Sequence, residues 1–262
     1  MIIGIDLGGT KIAAVLANER GKILTDINIP TEAYKGREHV IGVIKKAAYT
    51  LIKGQKAKIK AIGIGVPGPI LYNKGIVIDP PNLPGWKRVN LKKILEKEFH
   101  VPVFVDNDAN CAALAEAYFG AGKNARHFIY ITVSTGIGGG IIIDRKLYRG
   151  AIGAAGEFGH MIIDSKGFTC GCGNVGCFEA LASGTAIKKR SGMDAIAVEL
   201  AARQGDKKAL AVIAETAHYL SIGIANLVNI FNPELVIVGG GVSKMRELLF
   251  TPVRQEFKKY AL

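Results

Sequence analysis

No apolar run in this chain reaches the roughly 20 residues that a membrane span requires. The longest, such as LSIGIANLVNIF over 220–231, are broken by polar residues. The N-terminal MIIGIDLGGTK has no basic start and meets Asp6 at once, so no secretory signal is expected and the protein reads as cytoplasmic, with no membrane partner. Cysteines number four, and without a secretion signal a disulfide framework is excluded. Aromatic residues make up 7% of the chain, and no G-x-x-x-x-G-K-[ST] phosphate loop and no low-complexity or Ser/Pro-rich linker occurs. The net charge of +12 is spread over scattered lysine pairs such as Lys45-Lys46 and Lys188-Lys189, without an aromatic-rich basic stripe. Nucleic acid is therefore not expected as a partner, whereas a positive field suits a polyphosphate ligand.

What is present is enough apolar material, 49% of 262 residues, to bury a sizeable core in one large domain or two modest ones. The runs IIGID (2–6), IAAVLA (12–17) and ILTDINI (23–29), separated by LGGTK and NERGK, predict a three-stranded meander. A helix follows over 39–52, a strand over 59–67 ending in a Pro-Gly-Pro turn, a helix over 90–100 and a strand over 101–107. DANCAALAEAYFG (108–120) opens a helix with Asn107 or Asp108 near its cap. The pattern then repeats: FIYITVS (128–134), a glycine turn TGIGGG, IIID (141–144) and a short strand at KLYRG. Helices are expected over 178–190, 194–204 and 207–231, and a last strand over 234–241 leads into a helix. Two related lobes result, 1–107 and 108–262, with the C-terminal helix a candidate to join the first.

Three glycine turns follow strands: DLGGTK (6–11), STGIGGG (134–140) and VGGGVS (238–243). Glycine lets the backbone approach a ligand and aim successive N–H groups at phosphate oxygens. Gly63, Gly65 and Gly68 match a dinucleotide-binding spacing, but Pro67 and Pro69 forbid the helix that this motif must open. VDNDAN offers two carboxylates, Asp106 and Asp108, at a strand-to-helix junction, where either a turn or cap role or a catalytic one fits. His160, Cys170, Cys172 and Cys177 form H-x9-C-x-C-x4-C. C-x-C is too short for relaxed disulfide pairing, and no C-x-x-C redox motif occurs, whereas three thiolates and one imidazole fit tetrahedral structural zinc. Cys111 is left over as a buried small residue.

DLGGTK, VPVFVDNDANCAALAEAYFGAG, STGIGGG, GEFGHM, CGCGNVGCFEALASGTA and NPELVIVGGGVS together resemble, in order, the signatures of the ROK family of repressors, open reading frames and sugar kinases. The likeness spans residues 2 to about 250 and is strongest to the zinc-containing bacterial and archaeal glucokinases. It implies an α/β, two-lobed actin-like ATPase (ribonuclease H-like) fold with a cleft between the lobes, a homodimer or homotetramer, and phosphoryl transfer from ATP to the 6-hydroxyl of glucose. By the same likeness Asp6 orients Mg²⁺, and Gly8, Gly9, Thr10 and Lys11 line the phosphates. Thr135, Gly136 and Gly138 face the triphosphate from the second loop, and Gly240 and Gly241 lie near the adenosine. Asp108 takes the catalytic-base position, and Gly68, Asn82, Asn107, Asp108, Glu157, His160 and Glu179 bind the hexose. His160, Cys170, Cys172 and Cys177 hold zinc. Other sugars of the family (N-acetylmannosamine, N-acetylglucosamine, fructose), a polyphosphate donor, and a sugar-sensing regulator are the competing expectations. Family repressors carry an N-terminal helix-turn-helix domain, whereas this chain starts at its first strand.

Overall fold

In a computed structural model, which describes residues 1–55, 58–80 and 82–262, the alternation of Ile3, Ile5 and Leu7 with smaller or polar residues makes β1 (Ile2–Leu7) a strand with one buried face. β2 (Lys11–Ala17) repeats the pattern with Ile12, Ala14 and Leu16, and β3 (Ile23–Pro30) completes the antiparallel meander. α1 (Arg37–Ile52) buries Val40, Ile44, Ala47 and Leu51, spaced three or four apart as a helical stripe requires. β4 (Ala61–Val66) then runs parallel to β1.

Between 70 and 90 lies a small antiparallel sheet of β5 (Ile70–Leu71), β6 (Ile76–Val77) and β7 (Val89–Asn90), which no sequence pattern announces. α2 (Leu91–Phe99) is capped by Asn90, whose side chain accepts the N–H of Lys93. β8 (Val103–Asn107) pairs in parallel with β4, giving the sheet order β3-β2-β1-β4-β8. The core of this part centres on Ile3, Leu7, Leu16, Ile44, Ile62 and Trp86.

α3 (Asp108–Phe119) follows at once. The chain divides into two compact units, Met1–Cys111 with Arg149–Ala154, and Ala112–Tyr148 with Ala155–Leu262, so the division falls inside α3. The second unit holds β9 (Phe128–Val133), β10 (Ile137–Ile143) and β11 (Lys146–Tyr148). Its helices are α4 (Phe178–Ala182), α5 (Gly184–Ser191), α6 (Ala195–Arg203) and α7 (Lys207–Phe231). β12 (Leu235–Gly239) pairs in parallel with β9, completing the order β11-β10-β9-β12. α8 (Glu247–Phe257) closes the chain within this unit, packed on α7.

Three expectations need correction. The glycine turn read at TGIGGG is shorter than expected: Gly138, Gly139 and Gly140 are strand residues of β10, paired with Thr132, Ile131 and Tyr130. The single helix read over 178–190 is two, because Ser183 leaves the helix and caps α5 by accepting the N–H of Ala186. The apolar run at 220–231 is the end of a 25-residue helix, α7, that is long and apolar enough to cross a membrane. Half of that apolar window is buried inside the protein, where Ile213, Ala217, Leu220 and Ile224 form the centre of the second unit's core. α7 is a core helix.

Candidate active site and metal centre

In the first unit, the parallel register of β1, β4 and β8 sets Asp6 opposite Gly65 and Gly65 opposite Asp106. The carboxyl ends of the three strands therefore finish together, and at that edge of a parallel sheet ligands are generally bound. Gly65 lies directly beneath the start of α3: a Cβ there would stand 3.4 Å from both Asp108 Cα and Cys111 Sγ, in van der Waals contact. Asp6 is solvent-accessible as a residue, yet protein crowding around its carboxyl outweighs the charge of Lys11 and raises its pKa.

The turn after β1 is closed by the N–H of Gly8, which donates to the carbonyl of Lys11 at 3.0 Å. Thr31, fully buried beyond β3, donates its hydroxyl to the Gly8 carbonyl at 2.6 Å, and its N–H to the Thr10 carbonyl at 2.9 Å. Asn82 sits against Gly9, where a Cβ would stand 2.8 Å from Asn82 Cβ. Two sequence-predicted groups, the phosphate turn and the loop of Asn82, thus meet. Pro81 of that loop lies outside the described residues.

At the β8–α3 junction the two carboxylates differ. Asp106 Oδ1 accepts the N–H of Asn107 at 2.8 Å and Asn110 Nδ2 at 3.0 Å. Its Oδ2 accepts both Nε and Nη2 of Arg149, at 2.9 and 2.7 Å. Asp106 is saturated with protein partners. Asn107 is the cap: its Oδ1 accepts the N–H groups of Ala109 and Asn110, and its Nδ2 donates to the Gly68 carbonyl at 3.4 Å. Gly68 has φ of 81°, a conformation glycine favours. Asp108 follows as the first residue of α3, its Oδ1 2.8 Å from the N–H of Ala109. Beside it the Cys111 thiol is pushed up to about 12, chiefly by burial, with Asp106, Asp108 and Asp6 adding to the effect and Arg149 opposing it.

In the second unit, the turn after β9 is tied to α4 and α5. Ser134 N–H donates to the Gly136 carbonyl, Gly184 N–H to the Ser134 carbonyl, and Thr185 Oγ1 to the Thr135 carbonyl at 2.8 Å. Glu179 Oε2 accepts the N–H of Ile137. Gly138 lies within β10, beyond this turn. A cavity of about 400 Å³ opens here, its walls including Thr135, Thr185, Lys188, Ile196, Gly241 and Lys244. Gly240, at φ of 91°, passes against the Val133 carbonyl.

The Cys/His run folds as a small knuckle. Isolated bridges join Ile162 to Cys177 and Thr169 to Val175, and Cys170 N–H donates to the Asn174 carbonyl at 2.7 Å. Ligand atoms of His160, Cys170, Cys172 and Cys177 all lie within 4.8 Å of one another, which fits a tetrahedral metal. Cys172 is drawn down to about 7, first by the Asn174 backbone N–H, while burial pushes Cys177 up to about 12. Glu179 Oε1 lies 4.0 Å from Cys170 Sγ, and the Glu157 carbonyl accepts the N–H of His160 at 3.1 Å. Glu157, His160 and Glu179 are therefore all tied to this knuckle.

Sequence reasoning missed Thr31, which hydrogen-bonds the predicted phosphate turn, and Arg149, which holds Asp106 next to the predicted Asn107 and Asp108. Neither belongs to a glycine-rich or acidic motif. A signal for Arg149 lies in its place as the basic residue between a short strand and a glycine.

A model of the ROK family matches residues 2–262. The chain is 38% identical over 281 residues to a glucokinase of Thermotoga maritima, covering 100% of this chain and 88% of that one. It is 39% identical over 277 residues to a xylose repressor of Caldicellulosiruptor bescii, covering 97% of this chain and 69% of the repressor. Among solved structures, a ROK family glucokinase from Streptomyces griseus in complex with glucose and AMPPNP superposes with a TM-score of 0.87 at 37% identity, covering 100% of this chain and 89% of that one.

Proposed function

The chain belongs to the ROK family and has the actin-like ATPase fold of its sugar kinases, and from that premise we propose that it is an ATP-dependent glucokinase. The γ-phosphoryl group of ATP passes to the 6-hydroxyl of glucose. The observation that carries the reading is the register Asp6–Gly65–Asp106, which brings the β1–β2 turn and the start of α3 to one edge of one sheet. The glucose and AMPPNP bound to the related Streptomyces griseus glucokinase support the choice of substrates.

Phosphoryl transfer depends on an aligned hydroxyl, a proton acceptor and compensation of phosphate charge. Asp108 is the acceptor. A sugar hydroxyl is far too weak an acid to be deprotonated beforehand, so the carboxylate orients the oxygen and takes its proton as the new bond to phosphorus forms. Asp106 is unsuited to this role because its oxygens already serve Arg149, Asn107 and Asn110.

The amide of Asn107, with Gly68, Asn82, Glu157, His160 and Glu179, supplies polar partners for the remaining hydroxyls. The turns Gly8–Lys11 and Thr135–Gly136, with Gly138, Gly240 and Gly241, serve the nucleotide. Asp6 would hold Mg²⁺ through water, and the ion would offset negative charge on the phosphates. Zinc on His160, Cys170, Cys172 and Cys177 is structural, since four protein ligands leave no position for substrate. Two lobes, and cytoplasmic residence as a homodimer or homotetramer, belong to the same reading.

A coupled assay over glucose, fructose, N-acetylmannosamine and N-acetylglucosamine, each with ATP and with polyphosphate, tests the proposal. The highest kcat/KM is expected for glucose with ATP. A second reading, a sugar-sensing regulator, is favoured by the identity to the xylose repressor. Saturable sugar binding with no turnover of any sugar would select it.

A further inference from the structure

Arg149–Ala154 packs with the first unit, although the residues on both sides of it belong to the second. The segment is seated against residues 70–72. A Cβ on Gly153 would stand 3.1 Å from the Ile70 carbonyl, and the Arg149 guanidinium lies 4.7 Å from the centre of the Tyr72 ring. From this seat Arg149 gives two N–H groups to Asp106 Oδ2, and both side chains are largely covered, at 27% and 14% exposure.

The other Asp106 oxygen binds Asn107 N–H and Asn110 Nδ2, and Asn107 Oδ1 in turn binds the N–H groups of Ala109 and Asn110. Tyr72, Arg149, Asp106, Asn107 and Asn110 thus form one continuous set of contacts. It fixes the backbone on both sides of Asp108, whose own Oδ1 also accepts the N–H of Ala109. A planar fork suits the task, because two donors meet one oxygen while the flat face rests on an aromatic ring; lysine offers neither geometry.

We propose that Arg149 is a positioning residue for the phosphoryl-transfer step, holding Asp106 so that the β8–α3 junction presents Asp108 in its working orientation. The inference rests on the reading of Asp108 as the proton acceptor. It differs from a purely structural role in what it predicts. Misplacing a reacting group by about 1 Å costs on the order of 100-fold in rate, whereas a lost structural contact lowers stability and leaves turnover of the folded protein intact.

The test measures kcat, KM, thermal stability and amide hydrogen exchange in Arg149→Met, Arg149→Lys, Asp106→Asn and the double variant Asp106→Asn/Arg149→Met. Arg149→Met should lower kcat by roughly 30-fold or more, with KM for ATP changed by less than about two-fold. Arg149→Lys should recover part of the loss. The double variant should cost no more than the worse single one, as residues acting as a unit do. Exchange at Ala109 and Asn110 should quicken in both arginine variants. Should Arg149→Met not fold, Arg149→Lys and Asp106→Asn carry the same comparison. Folded variants with near-normal kcat and unchanged exchange would overturn the inference. If the unaltered protein phosphorylates no sugar, the kinase reading fails by itself, and exchange at Ala109 and Asn110 decides whether Arg149 positions the junction.

Discussion

Glu179 Oε2 accepts the backbone N–H of Ile137 at 2.8 Å, and the same oxygen occupies the space in which a Cβ on Gly136 would stand. One carboxylate thereby fixes the turn after β9, while its other oxygen lies near Cys170 Sγ. Gly136→Ala should expel the Glu179 side chain and leave the buried Ile137 N–H without its partner, a loss of about 1–3 kcal/mol. The expected outcome is a lower melting temperature and a KM for ATP raised about ten-fold. Thermal unfolding and steady-state kinetics would show it; an unchanged KM would mean that this turn does not serve the nucleotide.

Asp108→Asn keeps the size and polarity of the side chain and removes its ability to take a proton. General-base catalysis contributes about 10²–10⁴ in rate, and kcat should fall by that order, with glucose affinity and melting temperature nearly kept. Turnover within about ten-fold of the unaltered protein would return the role to another group.

Thr31 holds the phosphate turn from outside it. Thr31→Val preserves the packing of a fully buried side chain and deletes the hydrogen bond to the Gly8 carbonyl. About 1 kcal/mol of stability should be lost, a shift of roughly 2–4 °C in Tm for a chain of this size. KM for ATP should rise several-fold, with KM for glucose changed less. Equal effects on both substrates would count against a specific hold on the turn.

The contrast between Thr31 and Asp108 shows what the sequence makes legible. DLGGTK and VDNDAN are continuous strings whose chemistry is local, so the turn, the strand and the helix start can be read directly. Thr31 and Arg149 act across folded contacts, and neither sits in a recognisable string. The glycines of β10 mislead for a related reason. Gly139 pairs with Ile131 as a strand residue, and it is a glycine because the ring of Phe158 and the Tyr130 carbonyl fill the space where a Cβ would be. A strand thinned for close packing looks like a turn until its neighbours are known. The two-residue strands β5, β6 and β7 are too short for any period to show. The helix over 207–231 is legible as α7, but its apolar stretch looks short because polar residues such as Ser221 and Thr216 interrupt it; in the core they satisfy their hydroxyls on carbonyls one turn back.

The cysteine knuckle offers a clean separation of metal binding from packing. Cys172 is exposed, whereas Cys170 and Cys177 are buried, so Cys172→Ser opens no cavity. The unaltered protein should carry about one zinc per chain, and the variant or a chelated sample should lose it. A lower Tm and a raised KM for glucose are expected, because Glu157, His160 and Glu179 are tied to the knuckle. Elemental analysis with melting curves would check this. A variant with full metal content would place the metal elsewhere; one without metal but with unchanged glucose KM would remove the link to the sugar.

Adjacent glycines after β12 should respond in opposite ways to the same substitution. Gly240 has φ of 91°, and a Cβ there would drive into the Val133 carbonyl, so alanine is both strained in backbone and blocked by a strand that cannot yield. Gly241 has ordinary helical angles, φ of −65° and ψ of −37°, and its Cβ would meet Ser134 Oγ at 3.7 Å, an ordinary contact. Gly240→Ala should therefore displace the loop that lines the cavity with Ser134 and Thr135, lowering Tm and raising KM for ATP by ten-fold or more. Gly241→Ala should leave Tm within about 1 °C, because nothing clashes, and change KM for ATP only by narrowing the cavity wall. If Gly240→Ala lowers Tm while KM for ATP stays put, the loop is structural and the nucleotide lies elsewhere. If Gly241→Ala alone raises KM for ATP, that wall touches the nucleotide directly.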